Sequence, residues 1–471
     1  MKLSLDKLIR LWRTSYEIFL NKTCQEIKST KKQSQLLSFC FALPDTFFTD
    51  DFSPLFTDFP EVFYFSANKE EFLAVGNIHS LSVEGSFRWK ELEKRYTDFP
   101  EPLMNSSEPI FISSPLFLAA IKFDPEKKSV EWSNFKNCEF YIPKFLIKLE
   151  ADSALFRFNV LFDDTFSIEN SVLEFSTLLS TIFQNDGNNK IDEKINYKGN
   201  VNSFDERELW NLIVEKALSE IRNSSLTKVV LARRILLRTQ ELVHYEVLPG
   251  RLKKANPSSN IFCLKQNDSV FIGASPEILI ELKNNNIITE AIAGSCVRGS
   301  TTDEDFHLEN ELRNSEKEIN EHRSVVDFIT ENLTGSASDI TYEKVPNVKK
   351  LASIQHLSTE ITAKLKTGSS LFSLLDKISP TPAVCGSPKE KALELISELE
   401  DFDRGLYAGL IGWVSPSSAK LVVAIRSALI NKNTIFVYAG CGIVEGSNPE
   451  SEFAETETKL KTILSTFNEK N

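Results

Sequence analysis

VFIGASPEILIELKNNNIITEAIAG, Val270 to Gly294, carries the pattern of a β-hairpin. Two apolar runs rich in Val, Ile, Phe and Leu flank the polar turn KNNN (283–286). A connection this short specifies an antiparallel pair, because a parallel crossover needs about a dozen residues or more. The same arrangement recurs in LVVAIRSALI, the turn NKNT and IFVYAGCGIV, spanning 421–444. Each run reads as one continuous strand, with Glu277 inside the first and Arg426 inside VVAIRSAL. Outward from these hairpins, Thr227–Leu237 reads as a further strand. Phe204–Arg222, His307–Leu333 and Pro449–Phe467 have helical periodicity. Ser387–Leu399 reads as a helix with Ser387 as N-cap and Pro388 in its first turn. The sequence therefore predicts an α+β protein with large antiparallel sheets packed with helices.

The N-terminal part, residues 1–190, is rich in Phe and in short apolar runs broken by Pro and Asp, which predicts short strands and turns. The polar stretch Gln184–Asn200 is the candidate boundary with residues 191–471. The two parts are expected to form one intertwined domain. The chain begins with an amphipathic surface helix, because Lys7, Arg10 and Arg13 interrupt its apolar residues at helical spacing. Neither a signal peptide nor a membrane span is predicted, and a cytoplasmic protein is expected. Its 471 residues, 41% hydrophobic, suffice for a large core. A net charge of −12 argues against nucleic acid or an anionic membrane as partner. The seven cysteines contain no CxxC pair, which leaves neither a disulfide framework nor a thiolate metal site.

Three groups of carboxylates could carry chemistry. SEKEINEH (315–322) places Glu318 and Glu321 on one helical face. PESEFAETETKL places Glu452 and Glu455 three apart, with Lys459 four beyond Glu455. Glu277 follows Pro276 in an apolar run. Acidic helix faces are commonly just solvated, but two glutamates from separate helices would suit a hard cation that keeps waters for a substrate. Lys228 is either a general base, if burial or nearby charge depresses its pKa, or an edge-strand lysine that blocks aggregation. Arg426 in an apolar strand needs an anion, which is either a substrate carboxylate or an internal acid. Gly440 and Gly442 in AGCGIVEG form a poor phosphate cradle, and read as backbone that lets a small ligand approach. His356 alone is more often a satisfied core histidine than a catalyst.

In order along the chain, KVVLARR (228–234), GASPE (273–277), AIAGSCVRG (291–299), SEKEINEH (315–322), QHL (355–357), PTPAVCG (380–386), FDRGLYAG (402–409), VVAIRS (422–427) and AGCGIVEGSNPESEFAETETK (439–459) resemble the chorismate-utilising enzymes. These include isochorismate synthase, anthranilate synthase component I, aminodeoxychorismate synthase component I and salicylate synthase. The PTPAVCG segment is most similar to the isochorismate synthases. Ala293 stands where aminodeoxychorismate synthases of the common type hold a nucleophilic lysine. Departures fall at Glu318-Ile319, Ser295-Cys296 and Ser379, each beside a group of interest.

The resemblance implies an anthranilate synthase component I-like fold and a Mg2+-dependent isomerase that converts chorismate to isochorismate. Lys228 is implied as the base that activates water for attack at C2, and Glu277 as the acid that protonates the departing C4 hydroxyl. Glu321 and Glu455 are implied as Mg2+ ligands, with Glu318 and Glu452 behind them. Gly294, Ser295, His356, Ala383, Tyr407, Arg426, Gly440, Gly442 and Lys459 are implied to line the substrate site. No glutaminase subunit is expected, and the chain would be a monomer or weak homodimer. The alternatives are a salicylate synthase, which adds pyruvate elimination, and a catalytically silent chorismate-binding relative. Whether the product feeds menaquinone, siderophore or salicylate synthesis is left open.

Overall fold

Alternation along each strand sorts the apolar side chains into two cores. In Asn260–Gln266, Phe262 and Leu264 face one cluster while Ile261 and Cys263 face the other. Ser269–Ser275 does the same, with Phe271 on one side and Val270 and Ile272 on the other. Side chains of period two make this inevitable once both faces of a sheet are covered. The computed structural model describes residues 5–30, 34–44, 53–67, 70–100, 102–104, 115–149, 153–184, 195, 197–198 and 204–467.

Among the described residues, twenty-one strands form one sheet and eleven helices pack on it, an α+β architecture. One arm of the sheet runs from Ile354–Leu365 through Asn286–Val297, Ile278–Lys283, Ser418–Val423 and Leu410–Val414 to Phe117–Ile121. Cys138–Leu149, Glu70–Val83 and Glu61–Ala67 carry it on to the other arm. That arm continues through Asn260–Gln266, Ser269–Ser275, Ser427–Asn431 and Thr434–Val444 to Lys228–Thr239. Every one of these pairings is antiparallel. One core lies between the arms. The other lies under the helix Leu5–Thr30, which buries Trp12, Tyr16, Leu20 and Ile27, and under the end of Pro449–Phe467.

The boundary predicted at Gln184–Asn200 lies almost wholly outside the described residues. Backbone ladders nevertheless join the two halves of the chain directly. Glu61–Ala67 pairs with Asn260–Gln266, and Phe117–Ile121 pairs with Leu410–Val414. No helix among the described residues is long and apolar enough to cross a membrane.

Four sequence expectations need correction. The run Val270–Leu282 is two strands, Ser269–Ser275 and Ile278–Lys283, which belong to opposite arms. Pro276 has no N–H to give a ladder, so the strand ends there. Likewise Leu421–Ile430 divides into Ser418–Val423 and Ser427–Asn431, with Arg426 between them at φ 52°. The helix expected over His307–Leu333 is two, Thr302–Asn314 and Glu316–Thr334, separated by Ser315, whose side chain caps the second. Finally, Ser387 does not cap a helix. It pairs with Lys228 in a short strand, and the helix Lys389–Leu399 begins after Pro388.

Candidate active site

The two strand breaks lie side by side, and a cleft opens where they cross between the arms. The backbone N–H of Val423 donates to the Glu277 carbonyl at 3.1 Å. Ser275 Oγ donates to the Val423 carbonyl at 2.6 Å, and the Ala274 N–H donates to the Arg426 carbonyl at 3.0 Å. The cleft holds about 720 Å³ of empty space, its open mouth included. Glu277, Gly294, Ser295, Glu321, His356, Ala383, Tyr407, Arg426, Gly440, Gly442, Glu455 and Lys459 all line it. Lys228, Glu318 and Glu452 do not.

Glu277 is 4% exposed. Burial, and then the charge of Glu290, push its carboxyl up to about 8, while Lys349, Lys228 and Lys459 pull the other way. Such a group carries its proton at neutral pH and can donate it.

Lys228 stands behind the wall. Its ammonium donates to Glu321 Oε1 at 2.8 Å, and Glu321 is the residue that faces the cleft. Burial raises the Glu321 carboxyl, but Lys228, Lys459 and Lys317 together leave it below its ordinary value. Gly442 leaves room in the wall beside them. A Cβ on Gly442 would sit 2.8 Å from Lys228 Cε and 3.2 Å from Glu321 Oε1.

The helices Glu316–Thr334 and Pro449–Phe467 bring four carboxylates to the same end of the cleft. Lys317 Nζ lies 3.6 Å from Glu452 Oε1 and 4.0 Å from Glu318 Oε1, and so links the two helices. Glu318 Oε2 accepts the Ser295 N–H at 2.9 Å, and Glu455 is paired with Lys459 at 2.6 Å. Crowding has an electrostatic cost: the Glu318 carboxyl is raised by burial and by Glu321, and that of Glu452 by burial and by Glu455. A divalent cation would relieve it. Among the described residues no three ligand groups are gathered closely enough to form a metal cage. Glu321 and Glu455, one from each helix, are the two carboxylates of this group that face the cleft. Two carboxylate oxygens with the remaining positions left to water and substrate is a donor set that fits Mg2+.

Arg426 brings a buried cation to the same cleft. Arg426 is 5% exposed and, among the described residues, forms no ion pair within 4.0 Å. Its Nη2 lies 3.3 Å from His356 Nε2 and its Nη1 lies 3.4 Å from Thr462 Oγ1. Arginine has only donors, so His356 Nε2 accepts and the ring proton sits on Nδ1, which lies 3.0 Å from Ser295 Oγ. Burial and Arg426 hold His356 well below the usual imidazole range, so it stays neutral. Tyr407 stacks on Tyr438 at 5.2 Å and places its hydroxyl 3.0 Å from where a Gly440 Cβ would be. Ala383 lies on a turn in which Val384 and Cys385 N–H both donate to the Thr381 carbonyl.

Some supporting residues escaped the sequence reading. Lys349 Nζ donates to Glu290 Oε2 at 2.6 Å and to the Pro276 carbonyl at 2.7 Å. The buried pair Arg404–Glu400 completes the free edge of the strand Lys228–Thr239. Arg404 donates to the Val230 and Val384 carbonyls at 2.7 and 3.0 Å, and Glu400 accepts the Ala232 N–H at 2.8 Å. Val230 and Val384 both line the cleft. FDRGLYAG contained Arg404, but its partner is on a preceding turn and its targets are far along the chain.

The fold, the cleft and the acid at its wall define a class of enzyme, and comparison with known proteins agrees. The family described as chorismate binding enzyme matches residues 21–468, and the chain belongs to that family. Within it, the chain is 32% identical over 413 residues to isochorismate synthase MenF of Bacillus subtilis, covering 86% of this chain and 87% of that protein. It is 38% identical over 261 residues to anthranilate synthase component 1 of Saccharolobus solfataricus, covering 54% of this chain and 61% of the relative. The solved structure of MenF, the menaquinone-specific isochorismate synthase from Escherichia coli, superposes with a TM-score of 0.75 at 21% identity, over 96% of this chain and 99% of that one. At that identity the likeness establishes the fold, which is the one the motifs predicted.

Proposed function

We propose that this protein is an isochorismate synthase, an isomerase that adds water at C2 of chorismate and expels the C4 hydroxyl. The observation that carries the reading is the buried Glu277 carboxyl on the wall of a cleft that Lys228 reaches through Glu321. Similarity to an isochorismate synthase of Bacillus subtilis over 86% of this chain and 87% of that protein supports the same choice.

The residues divide the work by their chemistry. Glu277 is the acid that gives its proton to the departing hydroxyl. Lys228 is the base for the attacking water; to act, its side chain must be released from Glu321 and stand as the neutral amine. Acid and base of this kind each contribute ~10²–10⁴-fold in rate. Arg426, a buried cation with no carboxylate of its own, anchors a substrate carboxylate, and neutral His356 holds the guanidinium in place. Ser295, Tyr407 and the backbone at Gly294, Gly440 and Gly442 shape the wall around the ring. Ala293 presents a methyl group there, so no amine nucleophile stands at that position. Glu321 and Glu455 would hold Mg2+, with Glu318 and Glu452 behind them and Lys459 beside Glu455. The ion, when bound, supplies a positive charge for the ring carboxylate of chorismate.

Incubation of purified protein with chorismate, with and without Mg2+, followed by chromatographic identification of products tests this directly. Isochorismate formed only with Mg2+ agrees with the reading. Salicylate with pyruvate, or binding without turnover, overturns it.

A further inference from the structure

Behind Glu277 lies a charged pair that does not touch the cleft. Glu290 comes from the middle of the strand Asn286–Val297, and Lys349 from the short strand Asn347–Lys350. Both pack on Ile354–Leu365, which places Glu290 opposite Glu360 and Lys349 opposite His356. Glu290 is held from two sides, by Ser358 Oγ at 2.6 Å and by Lys349 Nζ at 2.6 Å. The same ammonium reaches past Glu290 to the Pro276 carbonyl at 2.7 Å. Pro276 stands at a strand break, and its carbonyl finds in Lys349 the donor that a neighbouring strand would otherwise supply.

We propose that Lys349 and Glu290 are positioning residues for Glu277: the lysine pins the peptide that carries the acid, and Glu290 holds the lysine in place. The proposal rests on Glu277 being the acid of the reaction. With side chains 24% and 17% exposed, the pair is only partly screened by solvent. The charged groups acting on Glu277 are Glu290, which favours its protonated form, and Lys349, Lys228 and Lys459, which favour the anion. Lys228 and Lys459 are committed to Glu321 and Glu455. Glu290 and Lys349 are thus the two whose charge can be removed without disturbing the four carboxylates.

The two charges make opposite predictions. Glu290→Gln removes the negative neighbour, so Glu277 should release its proton at lower pH. Lys349→Met removes a positive neighbour and should move that release to higher pH. A nearby charge shifts a carboxyl by about one unit, so the separation is measurable. The experiment records pH–rate profiles of chorismate conversion for the wild-type protein and both variants. In parallel, the Glu277 carbonyl stretch is titrated by infrared difference against Glu277→Gln, a readout independent of turnover. The expected result is an alkaline limb and a carbonyl titration that move together, down by about one unit for Glu290→Gln and up for Lys349→Met, with KM little changed. Unmoved profiles, or shifts in one common direction, overturn the proposal. Glu290→Gln nearly keeps the side chain's size and decides alone if Lys349→Met fails to fold. If the wild-type protein leaves chorismate unchanged, the functional reading fails instead, while the infrared titration still judges the pair.

Discussion

The ammonium of Lys228 lies 2.8 Å from Oε1 of Glu321, and the two side chains are only 5% and 18% exposed. The proposed base and a proposed Mg2+ ligand are therefore partners of each other. A lysine and a divalent ion compete for the same oxygen. Lys228→Ala should bind Mg2+ roughly tenfold more tightly in calorimetry, a ratio worth ~1.4 kcal/mol, and Glu321→Gln should bind it far more weakly. Equal Mg2+ affinity in all three proteins would remove Glu321 from the ligand set.

Glu277 carries its proton up to about 8. The sign follows from the raised value: the acid form is present below that pH and is lost as pH rises through it. The kcat/KM of the wild-type protein should fall above about 8 with a one-proton slope, and the residual rate of Glu277→Gln should lack that limb. Stability should follow the same sign. A carboxyl whose folded value is raised contributes fully below the unfolded value of 4.5, and that contribution is lost as pH rises toward 8. Thermal melting of Glu277→Gln relative to wild type should accordingly improve across this window.

Lys228→Ala and Glu277→Gln should each lower kcat by ~10² or more while the melting temperature shifts by only a few degrees. A near-native rate in either variant would strike that residue from the mechanism.

Gly442→Ala tests the packing of the wall. The added methyl would meet the far end of Lys228 at 2.8 Å and not backbone, so the side chain can give way and the fold should survive. Displacing a catalytic group by about 1 Å can cost ~10² in rate. Circular dichroism should be unchanged and kcat reduced by at least about tenfold.

Arg404→Met tests the support behind the wall. Breaking one side of a buried ion pair costs ~3–5 kcal/mol, and here it also frees the Val230 and Val384 carbonyls from their donors. Urea denaturation should show a loss of that order. A loss below about 1 kcal/mol would mean that solvent or a shifted backbone replaces the pair.

Much of this was readable in the residues. KNNN and NKNT announced their hairpins, and Asn284, Asn285 and Lys432 adopt the left-handed φ such turns use. The terminal helix Pro449–Phe467 fell where its periodicity put it. The strand breaks were harder to read, because the residues on both sides are apolar and buried on both faces, and period alone cannot show a strand changing arms. Pro276 was a signal at one break. No comparable signal marks Arg426, whose φ is 52°. Ser315 with Glu318 three residues later was a readable helix start inside what looked like one helix. Glu290 and Lys349 left no trace in the sequence, because their pairing depends on three strands meeting behind Pro276.

Conversion of chorismate in oxygen-18 water, with the product analysed by mass spectrometry, reports whether water attacks at C2. The expected product is Mg2+-dependent isochorismate carrying a single solvent-derived oxygen at C2, with no pyruvate released. Unlabelled isochorismate, or salicylate and pyruvate in equal amounts, would contradict it.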